Sequence, residues 1–224
     1  MQDNPTPGLV QPIVIARTGS HEDAVRCAAE ASLRAYLAAP DLPEWQDWLS
    51  GIFTKTVRRA KPAEYEKARA VGALAEVCHG GASALAFAPY PADNLPRPIA
   101  RLRVSGTELE RRGWGDGHGG AYATVALNED LGMSTGKAAA QAAHALWSAW
   151  LQLGERSRER WVADGLAFRL VGVPVEDIGL GQLLGIAPGE YGTDPVCRVY
   201  VTIHDAGLTE VEPGSLTAVG LVAR

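Results

Sequence analysis

The order of the predicted elements is the feature that most constrains this fold, because strand-like and helix-like segments alternate along the 224 residues. In the first half, hydrophobic patterning predicts strands at "PIVIART" (12–18), "IFTKTVRRA" (52–60), "ALAEV" (73–77) and "RPIARLRVS" (97–105). It predicts helices at "EDAVRCAAEASLRAYLAA" (22–39), ended by Pro40 and Pro43, and at "KPAEYEKARAV" (61–71). Such alternation indicates an α/β layer structure.

A glycine-rich stretch, "RRGWGDGHGGAY" (111–122), interrupts this pattern, and the second half repeats it. The predicted elements there are the strand "YATVALN" (122–128), a helix over 136–152, the strand "LAFRLVGVP" (166–174), a short helix or turn at "VEDIGLGQLLG" (175–185), the strand "CRVYVTI" (197–203) and a last hairpin, "LTEVEPGSLTAVGLVA" (208–223). We therefore predict two domains, 1–118 and 119–224. For the second we expect a three-layer α/β fold, with a mixed four-stranded sheet and helices on both faces.

The two halves also share short matches. A shift of 114 positions superimposes "AYL" (35–37) on "AWL" (149–151), and a shift of 126 superimposes "HGGASALAF" (79–87) on "DAGLTEVEP" (205–213). Two interpretations follow. The first half is either a degenerate, inactive copy of the second, which makes the chain a pseudodimer, or an unrelated α/β accessory domain.

Composition excludes several classes of protein. A hydrophobic content of 46% is enough to bury a core, and a net charge of −5 argues against a protein that coats nucleic acid. Basic clusters at 55–61, 101–103, 111–112 and 156–160 are typical of solvated faces. No long apolar run or leader pattern is present, so we expect a cytoplasmic protein without a membrane span. Three scattered cysteines predict free thiols rather than disulfides or zinc sites.

The segment "GMSTGKAAAQAAHALW" (132–147) resembles a phosphate loop but breaks its rule, since Gly132 is one residue too close and Ala138 follows the lysine. What remains is Lys137 in the first turn of a helix, where backbone amides favour anions. Gln141 and His144 follow it on the same helix face, beside a stripe of alanines that favours close packing on a sheet. This polar stripe either faces water or belongs to a site.

Asp205 follows an apolar strand and precedes a tight turn that Gly207 permits. Ligands of α/β sheets lie at the carboxyl ends of strands, although an aspartate in such a turn can also serve only the turn. Lys137 and Asp205 together therefore form a candidate site.

The segments "DLGMSTGKAAAQAAHA" (130–145) and "DAGLTEVEPGSLTAVG" (205–220) resemble the second type of peptidyl-tRNA hydrolase. That family carries a G-K-x-A-A-Q-x-x-H-A helix and a D-A-G-x-T-x-x-x-P-G-S/T-x-T segment. This chain departs from the family at three positions near the presumed RNA site: Thr135 and Leu208 replace basic residues, and Glu210 replaces a glutamine.

The resemblance implies hydrolysis of the ester that joins a peptide to the 3′ ribose of tRNA, without a metal or cofactor. It implies that Asp205 orients or deprotonates water and that Lys137 binds a phosphate or stabilises the oxyanion. Thr209 and Gln141 would position the ester, and His144 either takes part in catalysis or only packs.

The same resemblance implies that Gly136, Gly207 and Ser215 bind the substrate. It also implies that tRNA is the partner and that the chain acts as a monomeric pseudodimer or as a homodimer. Two other functions stay open, which are an inactive RNA- or protein-binding module and an esterase acting on another substrate.

Overall fold

The computed structural model describes residues 8–114, 122–178, 197–207 and 210–223. The chain forms two compact units, Met1–Arg111 and Arg112–Arg224. The strands of the first unit are β1 (Leu9–Ala16), β2 (Lys55–Ala60), β3 (Ala75–His79), β4 (Ala82–Ala86) and β5 (Tyr90–Pro91), and its helices are α1 (His21–Ala38), α2 (Pro43–Ser50), α3 (Pro62–Arg69) and α4 (Arg97–Ala100). The strands of the second unit are β6 (Ala123–Asn128), β7 (Phe168–Val173), β8 (Cys197–His204) and β9 (Leu216–Ala223), and its helices are α5 (Thr135–Gln152) and α6 (Glu155–Ala163).

Among the described residues, each unit has one mixed sheet, and the two sheets share their topology. The first sheet has the order β2-β1-β4-β3, with β5 added to β1, and the second has the order β7-β6-β9-β8. In each sheet the first two strands of the unit are parallel and the other two main pairs are antiparallel. The predicted mixed α/β fold is confirmed, and both units place their strands in the same order and direction.

The long helices α1 and α5 occupy equivalent places, because each follows the first strand of its unit. Each begins after a serine whose hydroxyl accepts a backbone N–H three residues on, from Ser20 to Asp23 at 3.1 Å and from Ser134 to Lys137 at 3.3 Å. These serines are separated by the 114 positions of the sequence match. Helix α1 packs on β3 and β4, and α5 packs on β8 and β9.

The alanine stripe of α5 packs on the sheet as predicted. Its members are at most 1% exposed: Ala138, Ala142, Ala145 and Ala149. Gly220 of β9 lies beneath this stripe, and a Cβ added there would lie 2.6 Å from the Ala145 carbonyl oxygen. The helix backbone therefore lies directly against the strand. At corresponding positions of α1, a second alanine stripe is fully buried, formed by Ala24, Ala28, Ala31 and Ala35.

The structure differs from the predicted element pattern in several details. The segment 97–105 forms helix α4 and a single bridge between Arg59 and Arg103, because two prolines favour a helix start. Pro43 begins the unpredicted helix α2 rather than only ending α1. The arms of the last hairpin are β8 and β9, since the described residues 210–215 form bends and a turn rather than a strand.

Candidate active site

Asp205 lies directly after β8, in a turn that the backbone holds on both sides. Its N–H donates to the Ser215 carbonyl at 2.9 Å, and its own carbonyl accepts from the Gly214 N–H at 2.8 Å. The Gly207 N–H donates to Asp205 Oδ2 at 2.8 Å, and Gly207 has a φ of +76° that favours glycine. The carboxylate is thereby fixed at the carboxyl end of the strand.

Helix α5 brings two polar side chains to this carboxylate. Lys137 Nζ donates to Asp205 Oδ1, and Gln141 Nε2 donates to the same oxygen at 3.1 Å. The side chains of Lys137 and Asp205 are only 10% and 3% exposed. The predicted meeting of Lys137, Gln141 and Asp205 is therefore observed, and the stripe of α5 that carries them faces the strand end rather than bulk water.

This arrangement suits a reaction that develops negative charge. A carboxylate offers about four acceptor positions, and three donors from Lys137, Gln141 and Gly207 already reach Asp205. The charge pair is largely removed from water, so removal of either partner would leave an uncompensated buried charge. Lys137 lies in the first turn of α5, where the helix dipole also favours an anion.

Two of the three residues that distinguish this chain from the resembled motif, Thr135 and Glu210, lie at the start of α5. Glu210 Oε1 accepts the Ser134 N–H at 2.8 Å, so a carboxylate already occupies one amide at the helix start. Thr135 is fully buried. The Glu210 carboxylate therefore lies at the helix end that would receive a phosphate, and the buried Thr135 offers no positive charge there.

The remaining predicted residues have varied positions. Gly136 is buried in the first turn of α5, Ser215 supplies the carbonyl that holds Asp205, and His144 is half-buried two turns beyond Lys137. Thr209 lies outside the described residues, as does the substituted Leu208.

Sequence reasoning missed Asn128, the last residue of β6. Its side chain accepts the Asp130 N–H at 3.1 Å and donates to the Leu216 carbonyl at 2.8 Å, and the residue is 5% exposed. It ties the end of β6 to the residue that follows Ser215, which steadies the turn around Asp205. A polar residue at the end of an apolar strand was the available signal.

The equivalent place in the first unit holds a carboxylate on the helix and a histidine at the strand end. Asp23 occupies the helix position of Lys137, and His79 ends β3 as Asp205 follows β8. The Asp23 Oδ1 and His79 Nε2 atoms lie 3.5 Å apart, and the Ser20 hydroxyl donates to Asp23 Oδ2 at 2.9 Å. A carboxylate thus lies at the helix start, where it would repel an incoming anion.

Related proteins match the second unit of the chain, which contains the Lys137–Asp205 pair. The family model described as peptidyl-tRNA hydrolase PTH2 matches residues 122–223. The peptidyl-tRNA hydrolase of Methanocaldococcus jannaschii is 34% identical over 100 residues, covering 43% of this chain and 81% of the relative. The chain belongs to the PTH2 family.

Two further relatives also bear the name peptidyl-tRNA hydrolase. The Thermoplasma volcanium peptidyl-tRNA hydrolase is 33% identical over 101 residues, covering 43% of this chain and 80% of the relative. The human peptidyl-tRNA hydrolase 2, mitochondrial, is 29% identical over 161 residues, covering 68% of this chain and 79% of the relative. In the part of the chain that the structure describes, no helix has the length and apolar character needed to cross a membrane. The cytoplasmic location stays a prediction.

Proposed function

We propose that this chain hydrolyses the ester bond between a peptide, or an N-blocked amino acid, and the 3′ ribose of tRNA. The observation that carries the proposal is the contact between Lys137 and Asp205, which are 68 positions apart in sequence and share a buried hydrogen bond inside the region that matches PTH2. Relatives that bear the name peptidyl-tRNA hydrolase support the same reaction.

Each side chain of the Lys137, Gln141 and Asp205 cluster has one role in this reaction. Asp205 orients a water molecule and accepts its proton as the water oxygen attacks the ester carbonyl. Lys137 donates to the carbonyl oxygen as it becomes an oxyanion, which lowers the barrier because the donor is already in place. Gln141 fixes Asp205 through its amide N–H. The bond between the acyl carbon and the 3′ oxygen then breaks, and that oxygen takes the proton from Asp205, which returns to its carboxylate form.

The test is release of the N-acetylated amino acid from N-acetyl-aminoacyl-tRNA. Lys137→Met and Asp205→Asn each remove one charge of the pair with little change of volume, and we expect kcat to fall on the order of 100-fold or more. Lys67→Met and Asp164→Asn are matched controls, because both residues are exposed and lie outside the cluster. Undiminished hydrolysis in Lys137→Met and Asp205→Asn would contradict the assignment.

A second candidate, an esterase acting on another substrate, is favoured by the start of α5. The Glu210 carboxylate on the Ser134 N–H and the buried Thr135 make this end of the helix a poor phosphate site. An esterase of this kind would hydrolyse small N-blocked aminoacyl esters as fast as the same ester on tRNA. Peptidyl-tRNA hydrolysis predicts instead a much lower KM for the tRNA ester. The inactive binding module predicts tRNA binding without hydrolysis of either substrate.

We also propose that the first unit is an inactive copy, so that one chain has one working site. Support comes from the common strand order and the equivalent serine caps of α1 and α5. The chain would then act as a monomeric pseudodimer, and sedimentation of an active sample at micromolar concentration tests this. Activity confined to a dimeric fraction would contradict it.

A further inference from the structure

The charge of the chain is distributed unevenly between its two units. Within residues 1–111 the Lys and Arg residues balance the Asp and Glu residues, so the whole net charge of −5 belongs to residues 112–224. The unit that carries the Lys137–Asp205 pair is therefore acidic, and Glu210 adds a carboxylate at its helix start. Affinity for nucleic acid comes largely from neutralised phosphates, so a tRNA substrate needs basic residues elsewhere.

The first unit has a group of such residues at the open edge of its sheet. β2 is the edge strand of the main sheet, and its Arg59 pairs with Arg103 in an isolated antiparallel bridge, with Arg59 N–H donating to the Arg103 carbonyl at 3.0 Å. Residues paired in this way project their side chains to the same face, with Cβ atoms about 5 Å apart. Two like charges directly opposite each other are normally unfavourable.

Two more arginines extend this group. Arg17 follows β1 directly, and its N–H donates to the Ala60 carbonyl at 3.0 Å, beside the end of β2. Arg101 lies two residues before Arg103 on the other side of the buried Leu102, and Arg17, Arg101 and Arg103 are all exposed. We call Arg17, Arg59, Arg101 and Arg103 the arginine edge.

The arginine edge has no acidic counterpart among the described residues. The ion pairs that arginines form among the described residues involve other arginines. Arg34 pairs with Glu30, and Arg69 pairs with Glu66 and Glu76. Neighbouring Arg58 has a structural role. Its guanidinium donates to the carbonyls of Ala100 and Leu102 at 3.1 and 2.9 Å and so fixes the segment that contains Arg101 and Arg103. Hydrogen bonds that stabilise the fold thus explain the presence of an arginine at position 58. They do not explain the arginine side chains at positions 17, 101 and 103.

We propose that the arginine edge binds backbone phosphates of the tRNA body. This inference rests on the proposed function and adds a partner surface to it. Four guanidinium groups that form no ion pair with a described carboxylate match the charge and the donor geometry of phosphate oxygens. A tRNA held on the first unit is tethered to the same chain as the hydrolytic site, which raises its effective concentration there. The first unit then contributes binding after losing the catalytic pair.

The test measures binding separately from hydrolysis. Binding of deacylated tRNA is followed by fluorescence anisotropy between 50 and 200 mM salt, for the unaltered chain and for the triple variant Arg17→Gln, Arg101→Gln, Arg103→Gln. Arg59 is left unsubstituted because its guanidinium donates a hydrogen bond to the Gly106 carbonyl. Loss of three phosphate contacts should weaken binding about 10-fold or more and reduce the slope of log K against log salt by roughly 2.

A second triple variant, Lys67→Gln, Arg156→Gln, Arg160→Gln, controls for net charge, because it removes the same number of exposed cations from outside the arginine edge. It should change tRNA affinity less than twofold. With N-acetyl-aminoacyl-tRNA as substrate, the first triple variant should raise KM about 10-fold and leave kcat within twofold. Equal weakening by both triple variants, or no weakening by the first, would overturn the proposal.

Failure of the proposed function has a different signature. If the unaltered chain binds tRNA and releases no N-acetylated amino acid, while the first triple variant binds tRNA more weakly than the second, the hydrolase assignment fails and the arginine edge stands. If it hydrolyses the ester while the first triple variant binds tRNA as tightly as the unaltered chain, the arginine edge fails and the hydrolase stands.

Discussion

Gly220 is the position where a single methyl group should disturb the site from a distance. A Cβ at this residue would lie 2.6 Å from the Ala145 carbonyl oxygen and 3.1 Å from its carbon, both backbone atoms of α5. Since such contacts need at least about 3.0 Å, the helix would have to move by about 0.4 Å. Gln141, one turn away, now lies 3.1 Å from Asp205 Oδ1. A shift of this size stretches that hydrogen bond beyond its ordinary range.

We therefore expect Gly220→Ala to lower the free energy of unfolding by about 1–3 kcal/mol, and Tm by roughly 4–12 °C for a domain of this size. We also expect kcat to fall on the order of 10-fold, because the cluster around Asp205 depends on sub-ångström placement. Calorimetry and the N-acetyl-aminoacyl-tRNA assay measure the two effects. Gly51→Ala is the matched control, because its nearest neighbour, the Trp48 carbonyl, would lie at 3.7 Å. Unchanged Tm and kcat in Gly220→Ala would refute the close packing of α5 on β9.

Three further predictions concern the first unit. Burial and the positive charge of Arg111 lower the pKa of His21 to about 4 from 6.5, so the unfolded chain binds more protons between these values and stability falls as pH drops through this window. The loss due to His21 is at most about 2 kcal/mol at pH 5, and urea unfolding of His21→Gln at pH 5 and pH 7 should show a correspondingly smaller loss; an equal loss in both proteins would contradict the assignment. The double variant Asp23→Asn, His79→Gln should hydrolyse N-acetyl-aminoacyl-tRNA within twofold of the unaltered rate, and a 10-fold drop would mean that the first unit takes part in catalysis. Burial raises the pKa of the Cys27 thiol to about 12, whereas Cys78 is exposed, so iodoacetamide at pH 8 should label Cys78 and leave Cys27 unmodified in the folded chain, as peptide mass mapping would show.

Sequence patterning predicted the helices α1 and α5 and the strands β1 and β6 well because their signals are local. The serine caps, the alanine stripes and the apolar runs each act within a few residues. Sequence patterning failed at α4. There the Arg58 guanidinium on β2 donates to the carbonyls of Ala100 and Leu102, at and just after the end of the helix. Pro96 and Pro98 were a local signal of the helix start, but the long-range bond from Arg58 has no local trace in the sequence. The strand β4 was also missed, because the short alanine-rich run "ASALA" has no clear period.

The candidate site was predicted in part. Periodicity placed Lys137 and Gln141 on one face of a helix, but it could not choose between water and a partner for that face. The place of Asp205 at a strand end supplied a candidate partner, and the family resemblance supported it; both side chains reach its carboxylate. The bond from Glu210 to the helix start was beyond sequence reasoning, because it depends on how the turn after Asp205 folds back.

The shared topology of the two units also affects how the chain folds. Adjacent segments that build the same architecture can exchange strands during folding, which traps misassembled forms. β1 contains Pro12, whereas β6 has Ala126 at the position 114 residues later. Proline cannot donate a ladder hydrogen bond, so β1 inserted in place of β6 would leave one acceptor in the wrong sheet unsatisfied. Sequence divergence between the units thus helps each strand to find its own sheet.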